Sequence, residues 1–111
     1  MTNKYRHRFN GYMTTVFSRL PTDVVIWVSD NVTLHEPPED NCVGFEFKSE
    51  TTWHIIFPHS LFAIPVKDRI FTMVHEIAHC YLEHEKEYGE SKTMVKSQED
   101  EADTLATKWG F

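Results

Sequence analysis

Apolar residues recur three and four positions apart in two long stretches of the chain. The first stretch runs from about Lys4 to Leu20 and is followed by Pro21; its apolar positions are Phe9, Tyr12, Met13, Val16, Phe17 and Leu20. The second begins at about Val66; its apolar positions are Ile70, Phe71, Val74, Ile77, Ala78, Tyr81 and Leu82. This spacing is that of an amphipathic helix, so each stretch is predicted to be one.

Three shorter apolar runs have the patterns of strands. Asp23 to Ser29 is a continuous run rich in β-branched residues, which predicts a strand covered on both faces. Apolar and polar residues alternate from Val43 to Phe47 and again from Trp53 to Phe57, on either side of a polar turn. This alternation predicts a β-hairpin.

The remaining segments are predicted to be connections. Residues 30–41 and 86–96 are polar and contain Pro or Gly, so both are predicted loops, and residues 58–65 a connection with one helical turn. A last helix is predicted from a Ser97 N-cap to Gly110; its core face is Ala102, Leu105, Ala106 and Trp109. Helix, strand, hairpin, helix and helix predict a small α+β domain over residues 1–111, with helices packed on an antiparallel or mixed sheet.

Composition narrows the class of protein. The chain has 111 residues, of which 41% are hydrophobic, and a formal charge of −6. These values are typical of one folded domain and argue against a nucleic-acid or anionic-membrane partner. The polar N-terminus and the lack of a membrane-length apolar segment predict a cytoplasmic protein. The two cysteines, Cys42 and Cys80, are predicted to be reduced thiols.

The sequence His75-Glu76-Ile77-Ala78-His79 lies within the second predicted helix. Residues four apart are neighbours on a helix surface, so the two imidazoles are predicted to face one metal ion together. Glu76 lies about 100° round the helix from His75, where its carboxylate could reach a water on that metal. Two imidazoles and an adjacent base are the groups that zinc-assisted hydrolysis requires.

A catalytic zinc usually has a third protein ligand, and the last helix is its predicted source. His84 would point about 140° away from His79 on a continuing helix. The metzincin extension would need Gly at position 82 and His at position 85, where this chain has Leu82 and Glu85. The metzincin class is therefore excluded.

The start of the last helix is acidic, with Glu99, Asp100, Glu101 and Asp103. Glu99 and Asp103 are four apart and project from one side of the core face, whereas Glu101 flanks the other side. One carboxylate could bind the metal while the other accepts a hydrogen bond from a ligating histidine. The alternative left open is that these acids only complement the dipole of the helix's first turn.

The pattern His-Glu-x-x-His followed by Glu-x-x-Ala-Asp resembles the gluzincin group of zinc metallopeptidases. Residues 101–106 are also similar to the second motif of the ImmA/IrrE-like peptidases, and the compact size is similar to the minigluzincins. The resemblance covers roughly residues 43–111. It implies a zincin-like fold with one Zn²⁺, three metal ligands (His75, His79 and Glu99), Glu76 as general base, and Asp103 supporting the site.

The resemblance implies an endopeptidase that acts on a protein or peptide, with a regulatory protein as one substrate class. The substrate is expected to lie along a hairpin strand at the sheet edge. Larger gluzincins have a C-terminal subdomain that this chain lacks, which leaves open an enzyme that is weak or latent alone. Tyr88, His54 and His59 are the candidates for stabilising an oxyanion. Two other interpretations stay open: a zinc-binding interaction domain without turnover, and a metal-free structural domain.

Overall fold

Pro21 divides the first thirty residues into two helices. The computed structural model describes residues 6–35, 45–57, 59–83 and 92–111. Helix α1 spans Arg6–Arg19 and confirms the first predicted helix, while residues 4 and 5 lie outside the described ranges. Helix α2 spans Thr22–Asn31 and has Pro21 at its N-cap. Proline ends the first helix because it lacks an N–H, and its fixed φ suits the start of the second.

The predicted strand at Asp23 to Ser29 is wrong, because this run belongs to α2. Val24 and Val28, four residues apart, are both buried, whereas Ile26 is 58% exposed. The run therefore buries one helical face rather than the two faces of a strand. A short continuous apolar run does not distinguish a buried strand from a helix by periodicity, and here tertiary packing overrides the β-branched composition.

The sheet has three strands in the order β1-β3-β2. Strand β1 is Val32–His35, within the predicted loop over residues 30–41. That prediction is wrong for residues 30–35, because residues 30 and 31 belong to α2; residues 36–41 lie outside the described ranges. β1 pairs in parallel with β3, with Leu34 opposite Ile55. Its partner β3 lies about twenty residues further along the chain. The pattern of four residues in β1 does not reveal a pairing at that distance.

The predicted hairpin is confirmed. Strands β2 (Phe45–Ser49) and β3 (Thr52–Ile56) pair antiparallel, with Phe47 opposite His54. Glu50 in the turn has a φ of 57°, the left-handed region that tight turns use. Trp53, Ile55 and Phe57 are buried, so alternate residues of β3 form one wall of the core. The chain thus has an α+β fold with a small mixed sheet, as predicted.

A 3₁₀ helix (His59–Ala63) leads from the sheet into helix α3, which spans Val66–Tyr81. The connection with one helical turn and the following helix are both confirmed, although Pro58 lies outside the described ranges. Arg69 fixes the junction: its guanidinium donates to the carbonyl oxygens of Phe62 and Ile64, and to the Tyr12 hydroxyl of α1. The start of α3 is thereby tied to two other parts of the fold.

Helix α4 spans Lys92–Lys108, so the predicted Ser97 N-cap is wrong, and the predicted loop over residues 86–96 is wrong for residues 92–96; residues 86–91 lie outside the described ranges. Residues 92–96 contain neither Gly nor Pro, the two residues least favourable in a helix interior, and the helix extends through them for more than a turn. The predicted end is confirmed. Gly110 has a φ of +100°, and the Gly110 and Phe111 N–H groups donate to Thr107 and Ala106, the Schellman arrangement.

Helices α3 and α4 enclose the core together with α1, α2 and one face of the sheet. The fully buried residues of α3 include Met73, Val74 and Ile77, and those of α4 include Ala102 and Ala106. None of the helices in the described ranges is both long enough and apolar enough to span a membrane.

Candidate metal centre

Helix α3 carries both histidines at the edge of its buried face. His79 is 2% exposed and follows the fully buried Ala78, whereas His75, one turn earlier, is partly buried. Core residues on the other side of the helix, such as Val74 and Ile77, hold this face in place. The imidazole planes are nearly perpendicular, at 87°, with ring centroids 4.5 Å apart.

Helix α4 brings Glu99 to both histidines. The Glu99 Oε2 atom lies 2.7 Å from His75 Nε2, and its Oε1 atom lies 3.1 Å from His79 Nε2. The two Nε2 atoms are 3.0 Å apart. Each of the three residues offers one ligand atom, and these atoms lie within 4.8 Å of one another. Among the described residues, the His75, His79 and Glu99 side chains form one group that could hold a metal ion.

Asp103 determines which nitrogen of His75 is available. Its Oδ1 atom lies 2.7 Å from His75 Nδ1, so Nδ1–H donates to Asp103. In a neutral imidazole the other nitrogen, Nε2, is then an acceptor. It faces the Glu99 carboxylate, another acceptor, at 2.7 Å. Two acceptors at this separation need either a proton or a metal ion between them.

The two rings are not oriented as in a pair joined by an in-line hydrogen bond. An in-line N–H···N bond of 3.0 Å would place imidazole centroids about 5.3 Å apart, since each nitrogen lies roughly 1.15 Å from its centroid. His35 and His54 on the sheet meet this geometry, with nitrogens 3.0 Å and centroids 5.2 Å apart. The centroids of His75 and His79 are 4.5 Å apart at the same nitrogen separation. At least one of their nitrogens therefore points away from the other.

The local electrostatics favour the protonation states that bind metals. Burial lowers the pKa of His79, although the Glu76 and Glu99 carboxylates oppose this effect. Burial also raises the pKa of Glu99, but the nearby charges and hydrogen bonds of His79 and His75 outweigh it, so the net pKa is lowered. A neutral imidazole and an ionised carboxylate are the forms that bind divalent metals.

One comparison with known proteins gave a match. The family model described as Peptidase U49 matches residues 2–111. The chain belongs to the Peptidase U49 family. This finding confirms the predicted peptidase class, and it covers the N-terminal helices, which carry none of the motif residues. Searches of curated proteins and of solved structures gave no match.

Glu76 lies next to His75 on α3 and is partly buried. Its charge partly opposes the burial that lowers the pKa of His79. Glu99 is the eighth residue of α4, because that helix begins at Lys92. The alternative explanation for Glu99, an acid complementing the dipole of a helix's first turn, therefore does not apply to it.

The other sequence candidates lie elsewhere. His54 points to the sheet face opposite the buried Trp53 and Ile55, where its ring contacts His35 and stacks on Phe47 at 4.9 Å. This position separates it from α3. Residues His84, Glu85, Tyr88 and Cys42 and the His59 side chain lie outside the described part of the chain.

Sequence reasoning missed Phe71 as a neighbour of the site. Its ring centroid lies 6.5 Å from that of His75. The available signal was its spacing, four residues before His75 on the same helical face.

Proposed function

We propose that this Peptidase U49 chain is a zinc-dependent endopeptidase of the gluzincin type, acting on proteins or peptides in the cytoplasm. The observation that carries the proposal is the convergence of His75, His79 and Glu99, whose ligand atoms lie within 4.8 Å of one another. Glu76 is adjacent in sequence, and the family match supports peptide-bond hydrolysis.

The donor set fits zinc. Two neutral imidazoles and one carboxylate are the protein ligands of a common class of catalytic zinc sites, with one position left open. Zinc bonds of about 2.0–2.1 Å in a tetrahedral arrangement separate ligand atoms by roughly 3.3 Å. The separations here are 2.7, 3.0 and 3.1 Å. Side-chain shifts of a few tenths of an ångström would therefore admit the ion.

Each residue has a separate role in the proposed mechanism. Zinc, when bound, polarises the scissile carbonyl and lowers the pKa of a coordinated water towards roughly 7. Glu76 accepts a proton from the attacking water and later passes it to the departing amine. Asp103 holds the His75 Nδ1–H, keeping Nε2 directed at the metal position.

The sheet supports an extended substrate. β3 is paired on both sides and cannot take another strand, whereas β2 has a neighbour on one side only within the described part of the chain. A polypeptide added along β2 would use main-chain hydrogen bonds, which recognise extended chains of many sequences. Proteins with unfolded or extended segments are therefore the proposed substrate class.

The test is the Glu76→Gln variant of the zinc-loaded protein, assayed on an unfolded, reduced protein substrate. We expect wild type to cleave and the variant to bind one zinc per chain without cleaving, because glutamine cannot accept the proton. Glu50→Gln is the matched control, since Glu50 is an exposed residue of the hairpin turn; this variant should keep wild-type activity.

Cleavage by Glu76→Gln at the wild-type rate would refute the role of Glu76. Stoichiometric zinc without cleavage by wild type would instead favour the zinc-binding interaction domain. A chain that binds no zinc would contradict the proposed metal dependence.

A further inference from the structure

A row of aromatic rings crosses the sheet and ends at strand β2. The imidazoles of His35 on β1 and His54 on β3 have nitrogens 3.0 Å apart. The Phe47 ring of β2 is nearly parallel to that of His54, at 12°, with centroids 4.9 Å apart. All three rings lie on the sheet face opposite the buried Trp53 and Ile55. Phe47 is 41% exposed, so the row ends in an accessible apolar surface on β2.

The backbone of β2 can pair with a further strand. Within the residues that the structure describes, β2 (Phe45–Ser49) pairs with β3 and has no strand on its other side. An edge strand of this kind presents N–H and C=O groups to which another extended chain can bind. The side chains along the strand then determine which chain binds, and in which register.

The charges along β2 are self-complementary in one antiparallel register. Glu46 and Lys48 flank Phe47 and have opposite charges. When two copies of β2 pair antiparallel about a two-fold axis at Phe47, Glu46 of each copy is opposite Lys48 of the other. Sliding one strand by two residues instead places two copies of Glu46, or two copies of Lys48, opposite each other. Opposite charges across a strand pair stabilise it and like charges destabilise it, so the charges select the register centred on Phe47.

The same register extends the row of rings. The Phe47 residues of the two copies are directly opposite each other and on the same face of the combined sheet, where a pair of aromatic side chains is stabilising. The row then continues from His54 through Phe47 to Phe47 and His54 of the second copy. Apolar contact and charge therefore favour the same register.

The contacts of Lys48 within its own chain are weak. Its Nζ atom lies 3.8 Å from Glu83, whose side chain is 69% exposed, and so exposed a pair contributes little. The same atom lies 5.6 Å from the Trp53 ring centroid, near the limit of about 6 Å for a cation–π contact. Turning the ammonium towards a second copy therefore costs little.

We propose that β2 is an interface between two copies of this chain, paired antiparallel about a two-fold axis at Phe47. Such a pairing uses the same strand of both copies, so it closes at the dimer. β2 contributes five residues from each copy, fewer than the roughly 20–30 residues per side of a stable interface. The dimer is therefore weak, and it is expected at about 1 mM protein but not at about 1 µM.

The dimer has a consequence for activity, and this step rests on the proposed function. The proposed polypeptide substrate also adds along β2, so the second copy occupies the main-chain groups that the substrate needs. Activity per chain should therefore fall as the protein concentration rises through the dissociation constant of the dimer. Dilution should relieve this inhibition.

Sedimentation equilibrium of the full chain between about 1 µM and 1 mM measures the dissociation constant. In Glu46→Lys, two attractive charge pairs are lost and two repulsive pairs are gained. Each of these four changes is worth a factor of about 1.4–5, so the dissociation constant should rise at least about fourfold. Lys48→Glu should have a similar effect. Glu50→Lys is the matched control, because it changes the charge by the same amount in the exposed turn outside β2, and it should dimerise as wild type does.

An equimolar mixture of Glu46→Lys and Lys48→Glu separates this register from a general loss of folding. One variant is positive at both positions and the other is negative at both, so the two attract each other in the register centred on Phe47. The mixture should dimerise about as tightly as wild type, although each variant alone does not. A variant that had only lost its fold could not be rescued in this way.

Two results would overturn the interface: a wild type that stays monomeric at about 1 mM, and a mixture that dimerises no better than the single variants. Constant activity per chain while wild type dimerises would overturn the inhibition by the second copy. Sedimentation requires neither zinc nor turnover. A chain that dimerises as expected but never cleaves would therefore leave the interface standing and overturn the proposed function.

Discussion

Replacing Asp103 should weaken zinc binding without unfolding the protein. The Asp103 Oδ1 atom lies 2.7 Å from His75 Nδ1, and Asp103 has no place among the three residues that could hold the ion. In Asp103→Ala, His75 loses the partner that fixes its tautomer and its ring orientation. Asp103→Asn keeps an oxygen that can accept from Nδ1–H but removes the negative charge, so its effect should be intermediate.

The size of the effect follows from the exposure and the chemistry of the pair. Loss of a hydrogen-bonding partner behind a metal ligand typically costs ~10- to 100-fold in metal affinity, or about 1.4–2.7 kcal/mol. The Asp103 side chain is 56% exposed, so its contribution to folding without metal is that of a surface pair, about 0–1 kcal/mol. Metal affinity should therefore change far more than the stability of the metal-free protein.

The assay is a competitive zinc titration against a chromophoric chelator, combined with urea unfolding of the metal-free protein. Asp100→Ala is the control, because it removes the same charge from the same helix. Asp100 lies 3.7 Å from Lys96, on an exposed part of the surface, with a side-chain exposure of 67%. The expected order of zinc affinity is wild type and Asp100→Ala first, then Asp103→Asn, then Asp103→Ala. Equal affinities of the two alanine variants would refute the assigned role of Asp103.

Two further predictions concern the same site. Because burial lowers the pKa of His79 from 6.5, the unfolded chain binds a proton at higher pH than the folded chain. The metal-free protein should therefore lose stability as the pH falls below 6.5, by up to about 1.4 kcal/mol per pH unit. Because the pKa of Glu99 is also lowered, its protonation should cause a further loss of stability below pH 4.5. Urea unfolding of wild type and His79→Gln at several pH values measures the free energy of unfolding. If this free energy changed with pH in parallel in the two proteins, the assigned effect of His79 would be contradicted. Ala102→Leu should lower the free energy of unfolding by about 1–3 kcal/mol through overpacking. It should also weaken zinc binding, because the larger side chain moves Glu99 away from α3. A loss of stability with unchanged zinc affinity would contradict this link between packing and zinc binding.

The helices and strands with strong periodicity could be predicted, and α2 shows where the method fails. A helical stripe over many residues predicted α1 and α3, and alternation predicted the hairpin. The run from Val24 to Val28 is too short to separate the period of a helix from that of a strand, and its β-branched residues favour a strand. What decides its conformation is burial of one face against the rest of the core, which no local pattern states.

The candidate site divides in the same way between local and distant information. The relation of His75 to His79 is fixed by helix geometry and could be read directly from the sequence. Glu99 and Asp103 are 24 and 28 residues from His75, so their approach depends on how α4 packs against α3. Their spacing of four residues predicted that they project together. It did not predict that Glu99 lies in the interior of α4, since the helix begins five residues before Ser97.

The packing of α4 on α3 explains why this spacing produces a site. Ala102 and Ala106 are fully buried, and the distance between two packed helices depends on the side chains at their contact. Two small residues on the contact face allow α4 to lie close to α3. Glu99 and Asp103, one turn apart beside that face, then reach the two nitrogens of a single imidazole. The carboxylates are therefore positioned by alanines that take no part in the chemistry. Core packing thus completes the group of His75, His79 and Glu99 that could hold a metal ion.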